Sequence, residues 1–462
     1  MSHAHDQHVT SLIQKYNRPG PRYTSYPMAP EWTSDYGPDN HTLTLREAGI
    51  KTEDPLSLYI HIPFCKKLCW FCGCNKVISD NDQKAADYLD HIKTEIQLVR
   101  TCLGDRQRVT QVHWGGGTPS LLNEENTRRS FDILTGPFDL QDHAEIAMEI
   151  DPRTTTTSKI DLLKELGFNR LSFGVQDLDG DVQDAIHRGQ TEKETRDLYE
   201  YCRERGFTGI NFDLVYGLPK QGVAQFNITI NKVLRMRPDR IALYSFAHIP
   251  ALLPAQKLFD NKDIPDPSVK FRLFQLAKRK FLNSGYLQIG MDHFVLPDDE
   301  LARALSQGKL RRNFMGYTVK AAQDWLGFGM SSISYVNHSF AQNVKSLKEY
   351  QSSIEKSRLP IERGLTLTQD NMMRQTVITE LMCNFQVDLR SIAHFYQVKV
   401  EAYFSEEIED LGSFIDDDLI VFENNRITVT PLGQDFVRNI AMVFDAYLRA
   451  GKSANKAFSK TI

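Results

Sequence analysis

The sequence lacks any long apolar run, and it also lacks a strong net charge. Its 462 residues carry 55 lysines and arginines against 59 acids, which gives a formal net charge of −4. Such a chain has no broad attraction for nucleic acid and no segment that could span a membrane. The first residues show neither the apolar core of a secretory signal nor an arginine-rich transit pattern. We therefore expect a cytoplasmic protein that binds neither nucleic acid nor membrane.

Cysteine is scarce, and most of it lies in one place. Of seven cysteines, four fall within ten residues. The remaining three stand singly among helical patterns and are predicted to be packed thiols: Cys102, Cys202 and Cys383. A disulfide framework is typical of short secreted chains, and this chain is long and shows no secretory signal. The crowded cysteines therefore indicate a metal or cluster site.

The crowded segment reads C-x3-C-x2-C-x-C, with cysteines at 65, 69, 72 and 74. Cys65, Cys69 and Cys72 together can bind a [4Fe–4S] cluster and leave its fourth iron open to another ligand. A zinc site with Cys74 as the fourth ligand is the main alternative, although zinc sites usually contain paired C-x2-C or Cys/His units. The spacing therefore favours a catalytic iron–sulfur cluster.

From residue 56 onward, short apolar runs alternate with amphipathic helical patterns, as in repeated βα units. The predicted strands are Leu58–Ile62, Thr110–Trp114, Ala144–Ile150, Arg170–Gly174, Gly209–Val215 and Arg240–Phe246. The predicted helices are Gln83–Arg100, Glu124–Leu134, Lys159–Leu166, Glu192–Arg205, Val223–Leu234 and Pro267–Ser284. No seventh or eighth strand is evident, so the pattern predicts an α/β protein with six βα units in an open parallel barrel.

A chemically distinctive motif follows each predicted strand. The motifs are the cysteine loop, Trp114-Gly-Gly-Gly-Thr-Pro119, Glu149-Ile-Asp-Pro-Arg153, Gly174-Val-Gln-Asp177, Asp213-Leu-Val-Tyr-Gly-Leu-Pro219 and Phe246-Ala-His-Ile-Pro250. Active sites of parallel barrels lie at the carboxyl ends of the strands. The glycine run could instead be a phosphate loop, but no Lys-Ser/Thr pair follows it. The motifs predict one shared active site.

The two ends of the chain differ in character from the barrel region. His3, His5 and His8 could chelate a metal, but a disordered, solvated tail is the favoured interpretation. After residue 365 the pattern is mostly helical, with two short strands around Asn424-Asn425 and a helix from Thr430, as in a winged-helix module. Residues 410–438 contain six acids against two arginines. That balance disfavours DNA binding and favours a structural cap.

The cysteine motif after an apolar strand is similar to that of the radical S-adenosylmethionine (SAM) superfamily. With Cys72-Gly-Cys-Asn-Lys76 attached, the segment resembles the oxygen-independent coproporphyrinogen III oxidase family. The resemblance runs from Tyr16-Asn-Arg-Pro-Gly-Pro-Arg-Tyr-Thr-Ser-Tyr-Pro27 to Met442-Val-Phe-Asp-Ala-Tyr447. It implies a three-quarter (βα)6 barrel of the TIM type over 55–364, an arm over the active site at 1–54, and a C-terminal helical domain at 365–462.

The resemblance also implies cofactors and their contacts. One [4Fe–4S] cluster would be bound by Cys65, Cys69 and Cys72, while Cys74 matches an extra family cysteine that is not an iron ligand. The resemblance implies two SAM molecules. The first would contact Tyr59, Gly116, Glu149 and Ile333, and the second would contact Phe71, Gly117, Thr118, Gln176, Arg188, Asp213 and Ala247.

The implied reaction is the anaerobic oxidative decarboxylation of two propionates of coproporphyrinogen III to vinyl groups, giving protoporphyrinogen IX. A reduced cluster would donate one electron to SAM and cleave it to methionine and a 5′-deoxyadenosyl radical, which takes a hydrogen from the propionate β-carbon. Loss of carbon dioxide and of one electron would then leave the vinyl group. The implied partners are coproporphyrinogen III and a low-potential electron donor of the flavodoxin or ferredoxin type. The protein itself is expected to be a monomer. Arginines suit carboxylates and aromatics suit a macrocycle, so Arg22, Arg312 and Phe314 are candidate substrate contacts.

Three positions depart from the family pattern: Met315 replaces a glutamine near the active site, His187 replaces an asparagine beside Arg188, and Met28 replaces a threonine. Two other functions therefore stay open at this point. A haem-binding chaperone related to the family is one, although those relatives lack the Gly-Cys-Asn extension and the N-terminal arm. A radical SAM enzyme with another substrate is the second.

Overall fold

The computed structural model describes residues 3–319, 322–451 and 458–461. Its centre is a twelve-stranded sheet, with strands β1 to β12 in chain order. All six predicted strands are present, with bounds that differ by a few residues: β1 Leu56–Ile62, β2 Arg108–Gly116, β3 Asp139–Ile150, β4 Arg170–Gln176, β5 Gly209–Tyr216 and β6 Arg240–Ser245. They pair in parallel and in chain order. The predicted parallel βα barrel is therefore confirmed.

The six predicted helices also form: Asp82–Leu103, Glu124–Thr135, Thr157–Glu165, Glu192–Glu204, Val223–Met236 and Pro267–Asn283. Five of them have an N-cap residue whose side chain accepts a hydrogen bond from a backbone N–H of the first turn. These N-cap residues are Asn81, Asn123, Thr156, Thr191 and Asp266. Shorter or peripheral helices are Pro38–Gly49, Gly180–Ala185, Glu300–Ser306 and Leu347–Glu355. None of the described helices has the length and apolar character of a membrane span.

The sheet extends beyond the six predicted strands at both edges. The additional strands are β7 Leu287–Ile289, β8 His293–Val295, β9 Asp324–Phe328, β10 Ile333–Val336, β11 Ser339–Asn343 and β12 Ile361–Thr366. β9 pairs in parallel with β1, and the other five are antiparallel additions. The spatial order is 12-11-10-9-1-2-3-4-5-6-8-7. These six strands were not evident in the sequence, because they are short and partly polar.

The N-terminal segment is helical, not the disordered tail that the sequence suggested. A helix spans His3–Tyr16, although the side chains of His3 and His5 lie outside the described residues. Leu12, Ile13 and Tyr16 are buried in a cluster formed with the C-terminal part of the chain. Helical spacing puts these three side chains on one face, so packing against that domain stabilises the helix.

The C-terminal part contains the predicted hairpin, Ile420–Glu423 and Arg426–Val429, with Gln386–Asp388 as a third strand. Asn424 and Asn425 both have positive φ, as a two-residue hairpin turn requires. The predicted helix from Thr430 begins later, because Pro431 and Gly433 lead into a 3-10 turn before Val437–Met442. The remaining helices are Gln369–Asn384, Leu389–Phe395, Val400–Tyr403, Ser405–Asp410, Gly412–Asp416 and Ala446–Arg449.

Candidate active site at the carboxyl ends of the parallel strands

The cysteine loop directly follows β1 and is held by short backbone pairings. Phe64–Cys65 pairs in parallel with Val77–Ile78, which brings the two ends of the loop together. The Cys65 sulfur accepts a hydrogen bond from the Thr118 hydroxyl at 3.4 Å. The buried Cys69 sulfur lies 3.7 Å from both Arg153 Nη2 and Arg188 Nη1. The loop therefore directs its sulfurs toward donors from the ends of β2, β3 and β4.

The electrostatic environment of the sulfurs is uneven. A hydrogen bond from Cys74 is the largest effect that lowers the pKa of Cys72 to about 6, and the charges of Lys76 and Arg188 contribute. Burial raises the pKa of Cys65 to about 11. Lys76 Nζ also donates to the carbonyls of Cys72 and Cys74 at 3.1 and 3.2 Å. These groups therefore favour the anionic form at Cys72, whereas burial disfavours it at Cys65. The nearby positive charges would stabilise the negative charge of a thiolate-bound cluster.

The three cysteines of the loop line one cavity: Cys65, Cys69 and Cys72. A [4Fe–4S] cube presents separate irons to separate cysteines, so three such ligands suit it and leave one iron open. Within the part of the chain that the structure describes, no group of three His, Cys, Asp or Glu side chains is arranged to bind a single metal ion.

Two adjoining cavities lie at this face of the barrel. The first has a volume of about 700 Å³ and contains the three cysteines in its wall. All seven residues predicted for the second SAM line it: Phe71, Gly117, Thr118, Gln176, Arg188, Asp213 and Ala247. The structure therefore brings these positions together.

The second cavity, of about 490 Å³, extends deeper into the barrel. All four residues predicted for the first SAM line it, namely Tyr59, Gly116, Glu149 and Ile333. The substrate candidates Arg22, Arg312, Phe314 and Met315 line it as well. Residues shared by both walls are Arg22, Cys74, Gly116, Glu149, Ser172, Asp213 and Tyr244. The two cavities are therefore neighbours, and Cys74 lies where they meet.

The glycine run after β2 allows close packing of the protein itself. Gly116 has φ +117°, and a Cβ there would lie 2.6 Å from the His61 ring. A Cβ on Gly117 would lie 2.5 Å from the Pro63 carbonyl oxygen. The Gly117 backbone N–H donates to the Ile62 carbonyl at 2.8 Å. Side chains at these positions would push the glycine run away from the cysteine loop. Glu149 Oε2 fixes the run further by accepting from Gly116 N at 3.0 Å.

Two polar groups from β4 and β5 face the first cavity. The register of β4 against β5 shifts between Gly174 and Gln176, and Gln176 has φ +66°. Such a bulge redirects a side chain at the strand end. Asp213 accepts from Ser172 Oγ at 2.9 Å and from Asn211 Nδ2 at 2.8 Å. Burial raises the pKa of Asp213 to about 6. Asp213 is thus a fixed, half-buried carboxyl suited to an amine or hydroxyl partner.

The two candidate substrate arginines approach from different parts of the chain. The Arg22 guanidinium lies 5.9 Å from the centre of the Tyr244 ring, and that of Arg312 lies 5.1 Å from the centre of the Tyr317 ring. Arg312 Nη1 also donates to the Arg22 carbonyl at 3.2 Å. The Nε atoms of both arginines are buried without a hydrogen-bond partner among the described residues. Both arginines therefore retain donors for an anionic ligand.

Sequence reasoning missed several residues that shape the site. His113 stacks on Tyr59 and places Nε2 3.5 Å from Glu149 Oε1. Arg153 pairs with Asp151 at 2.6 Å while contacting Cys69. Asp151 and Arg153 both belong to the motif at the end of β3, so their opposite charges could have indicated an ion pair near the cysteine loop. His113 stands in a strand, where the sequence gives no sign of its direction.

Residues 59–233 match the radical SAM superfamily, and residues 367–436 match the HemN C-terminal domain. The chain is 42% identical to the oxygen-independent coproporphyrinogen III oxidase of Escherichia coli (strain K12), over 98% of each chain. It is 40% identical to the Synechocystis protein of the same name, over 98% of this chain and 97% of the relative.

A solved structure agrees with these sequence matches. Coproporphyrinogen III oxidase (HemN) from Escherichia coli, described as a radical SAM enzyme, superposes with a TM-score of 0.89 at 41% identity. The match covers 95% of this chain and 98% of that chain. Sequence and fold agree over nearly the full length, and the candidate site lies within the matched region. The chain therefore belongs to the family of oxygen-independent coproporphyrinogen III oxidases.

Proposed function

We propose that this protein converts coproporphyrinogen III to protoporphyrinogen IX without oxygen, by oxidative decarboxylation of two propionates to vinyl groups. It is a radical SAM oxidoreductase, and its family implies a [4Fe–4S] cluster and SAM as cofactors. One observation supports the proposal most strongly. Three cysteines line one cavity, and two arginines with unpaired Nε donors line the adjoining cavity. That combination suits a cluster-dependent reaction on a polycarboxylate.

Cys65, Cys69 and Cys72 would bind the cluster. When bound and reduced, the cluster and SAM supply the radical that removes hydrogen from the substrate. The chain's own contribution is electrostatic and steric. Arg153 and Arg188 place positive charge at the Cys69 sulfur, and Thr118 donates to the Cys65 sulfur. Donors of this kind favour the anionic sulfurs that a cluster requires.

The second cavity would hold the first SAM, with Tyr59, Gly116, Glu149 and Ile333 in contact. Glu149 is already positioned by Gly116 N and by His113. Its carboxylate can therefore accept from a ribose hydroxyl or an amine without reorientation. Positions fixed before binding lower the entropic cost of holding a ligand in a reactive geometry.

The first cavity would hold a second SAM, with Phe71, Gly117, Thr118, Gln176, Arg188, Asp213 and Ala247 in contact. Arg188 is oriented by the Gly174 carbonyl at 2.7 Å and by Gln190 Oε1 at 2.8 Å. Gln256 Nε2 donates to the Ala247 carbonyl at 3.0 Å, which holds the segment after β6. Two SAM molecules per active site match a reaction that acts on two propionates.

The substrate would enter beside Arg22, Arg312, Phe314 and Met315. Propionates would accept from the free Nε–H groups of the arginines, which are stronger donors than neutral groups. In this interpretation residues 1–54 form a lid over the barrel of 55–364, and residues 365–462 support that lid. Arg438 in the last part donates to the carbonyls of Gly20 and Pro21 at 2.6 and 3.0 Å, which supports that division.

Three finer assignments complete the proposal: a cytoplasmic location, a monomeric enzyme, and a low-potential one-electron donor of the flavodoxin or ferredoxin type. The test is an anaerobic assay with coproporphyrinogen III, SAM and dithionite, in which protoporphyrinogen IX is measured. Product should form with the reconstituted enzyme and be absent with Cys69→Ser. SAM cleavage without vinyl product would favour another substrate, whereas haem binding without SAM cleavage would favour the chaperone.

A further inference from the structure

A buried carboxylate with an unused oxygen lines the second cavity. Asp292 stands in the turn between β7 and β8, and its backbone carbonyl accepts from Leu243 N at 2.7 Å. Its side chain is 7% exposed, and Oδ1 lies 2.7 Å from His293 Nδ1. Oδ2 is buried and has no hydrogen-bond partner within the described ranges. A buried acceptor left unpaired is unfavourable unless a ligand or water satisfies it.

The surroundings keep this carboxylate charged. Burial raises its pKa, but the hydrogen bond and charge of His293 and the charges of Arg312 and Arg22 outweigh burial and lower the pKa to about 2. Neither arginine forms an ion pair with Asp292 in the described part of the chain, and the Nε atoms of both are unpaired. Residues of one cavity wall therefore contain both buried, unpaired cationic donors and a buried, unpaired anionic acceptor.

A ligand that matches this wall must offer anions to the arginines and N–H donors to the carboxylate. A porphyrinogen with propionate groups has both, because its four pyrrole N–H groups point to the centre of the ring and its propionates lie on the rim. We propose that Asp292 Oδ2 accepts hydrogen bonds from pyrrole N–H groups of the substrate, with His293 holding the carboxylate in place. This inference rests on the proposed function and adds a residue that recognises the reduced macrocycle.

Asp292 has two possible roles toward the substrate, and they predict different effects on ligand binding. As a simple counter-ion for Arg22 and Arg312, it would affect every ligand with four propionates alike. As an acceptor for N–H groups, it would distinguish coproporphyrinogen III from coproporphyrin III, the aromatic form of the same ring. The porphyrin has the same propionates but only two inner N–H groups, and its two other nitrogens carry lone pairs that a carboxylate repels.

The experiment compares the two ligands in wild type, Asp292→Asn and Asp292→Ala. KM is measured for coproporphyrinogen III, and coproporphyrin III is used as a competitive inhibitor to obtain Ki. We expect KM to rise at least about tenfold in both variants, as loss of a charge-assisted hydrogen bond implies. Ki should change by less than about threefold. Cluster content and Tm should stay close to the wild-type values, which shows that the variants fold.

Asp324→Asn is the matched control. Asp324 has a side chain 6% exposed, pairs with Arg106 at 2.6 Å, and does not line either of the two cavities. Its KM and Ki should remain at the wild-type values. Equal changes of KM and Ki in the Asp292 variants, or no change in either, would overturn the inference while leaving the proposed function intact. A wild-type enzyme that does not convert coproporphyrinogen III would refute both.

Discussion

Replacing Arg22 by alanine should weaken the binding of coproporphyrinogen III without weakening the fold. The arm that carries Arg22 is anchored by other residues: Tyr23 donates to Asp445 at 2.9 Å, and Tyr26 accepts from Ala446 N at 3.1 Å. The Arg22 guanidinium itself makes no hydrogen bond through Nε and packs over Tyr244. Its removal therefore leaves the anchors in place.

The magnitude follows from the contact that would be lost. One charge-assisted hydrogen bond to a propionate contributes about 1.5–3 kcal/mol, which corresponds to a rise in KM of roughly 10- to 150-fold. Stability should not fall, because Arg22 lies near other cations. Burial lowers the pKa of Lys270 to about 7, and the charges of Arg22 and Arg438 contribute to that shift. Removing Arg22 relieves its repulsion of Lys270 and Arg438 and loses its attraction to Asp292, so Tm should change little.

The assay measures KM for coproporphyrinogen III, KM for SAM, and Tm in wild type, Arg22→Ala and Arg18→Ala. Arg18 is an exposed arginine of the same arm that does not line either of the two cavities, so its variant should behave as wild type. An unchanged KM for coproporphyrinogen III in Arg22→Ala would refute the reasoning, and so would an equal rise in Arg18→Ala. A truncation is less informative, since removal of residues 1–30 also removes Leu12, Ile13 and Tyr16 from a buried cluster.

Three further variants test other parts of the account. Cys74→Ser should retain about four irons per chain after reconstitution, and loss of the cluster would show that Cys74 is a ligand. Met315 lines the second cavity and not the first. Met315→Gln should therefore bind a propionate more tightly by about 1–3 kcal/mol and raise product formation, while SAM cleavage stays constant. No gain in product would show that the position tolerates either residue. Burial raises the pKa of Glu95 from 4.5 to about 7. The contribution of Glu95 to the free energy of unfolding is therefore fully present below about pH 4.5 and is lost as the pH rises through about 7. The total change is roughly 3 kcal/mol. Urea unfolding of Glu95→Gln should therefore depend less on pH in this window than wild type, and identical pH profiles would contradict the shift.

The parallel half of the fold could be predicted because its strands are short apolar runs bounded by distinctive motifs. β11 could not be predicted, since Ser339–Asn343 is fully buried yet largely polar. Its polar groups are satisfied only by distant residues, as when Asn343 Nδ2 donates to Glu95 Oε1 at 2.6 Å. A sequence window contains no sign of such a partner. The helix His3–Tyr16 was missed for the same reason, because its stabilising contacts come from the other end of the chain.

The candidate site could be predicted in outline because its motifs stand at the ends of predicted strands, where active sites of parallel barrels lie. Glu149 belongs to such a motif, whereas Tyr59 was implied by the resemblance alone, and both line the second cavity. Asp292 was missed because it stands between two three-residue strands, which are too short for a periodic signal. The roles of the predicted SAM contacts remain predictions, although each set lines a single cavity.

We propose that one active site uses SAM twice to turn two propionates of coproporphyrinogen III into vinyl groups. The most direct measurement follows carbon dioxide, methionine and protoporphyrinogen IX together in one anaerobic reaction of the reconstituted enzyme with coproporphyrinogen III, SAM and a reductant. The account predicts two molecules of carbon dioxide and two of methionine for each protoporphyrinogen IX. Methionine release without carbon dioxide, or turnover that stops at the single-vinyl product with SAM still present, would contradict it.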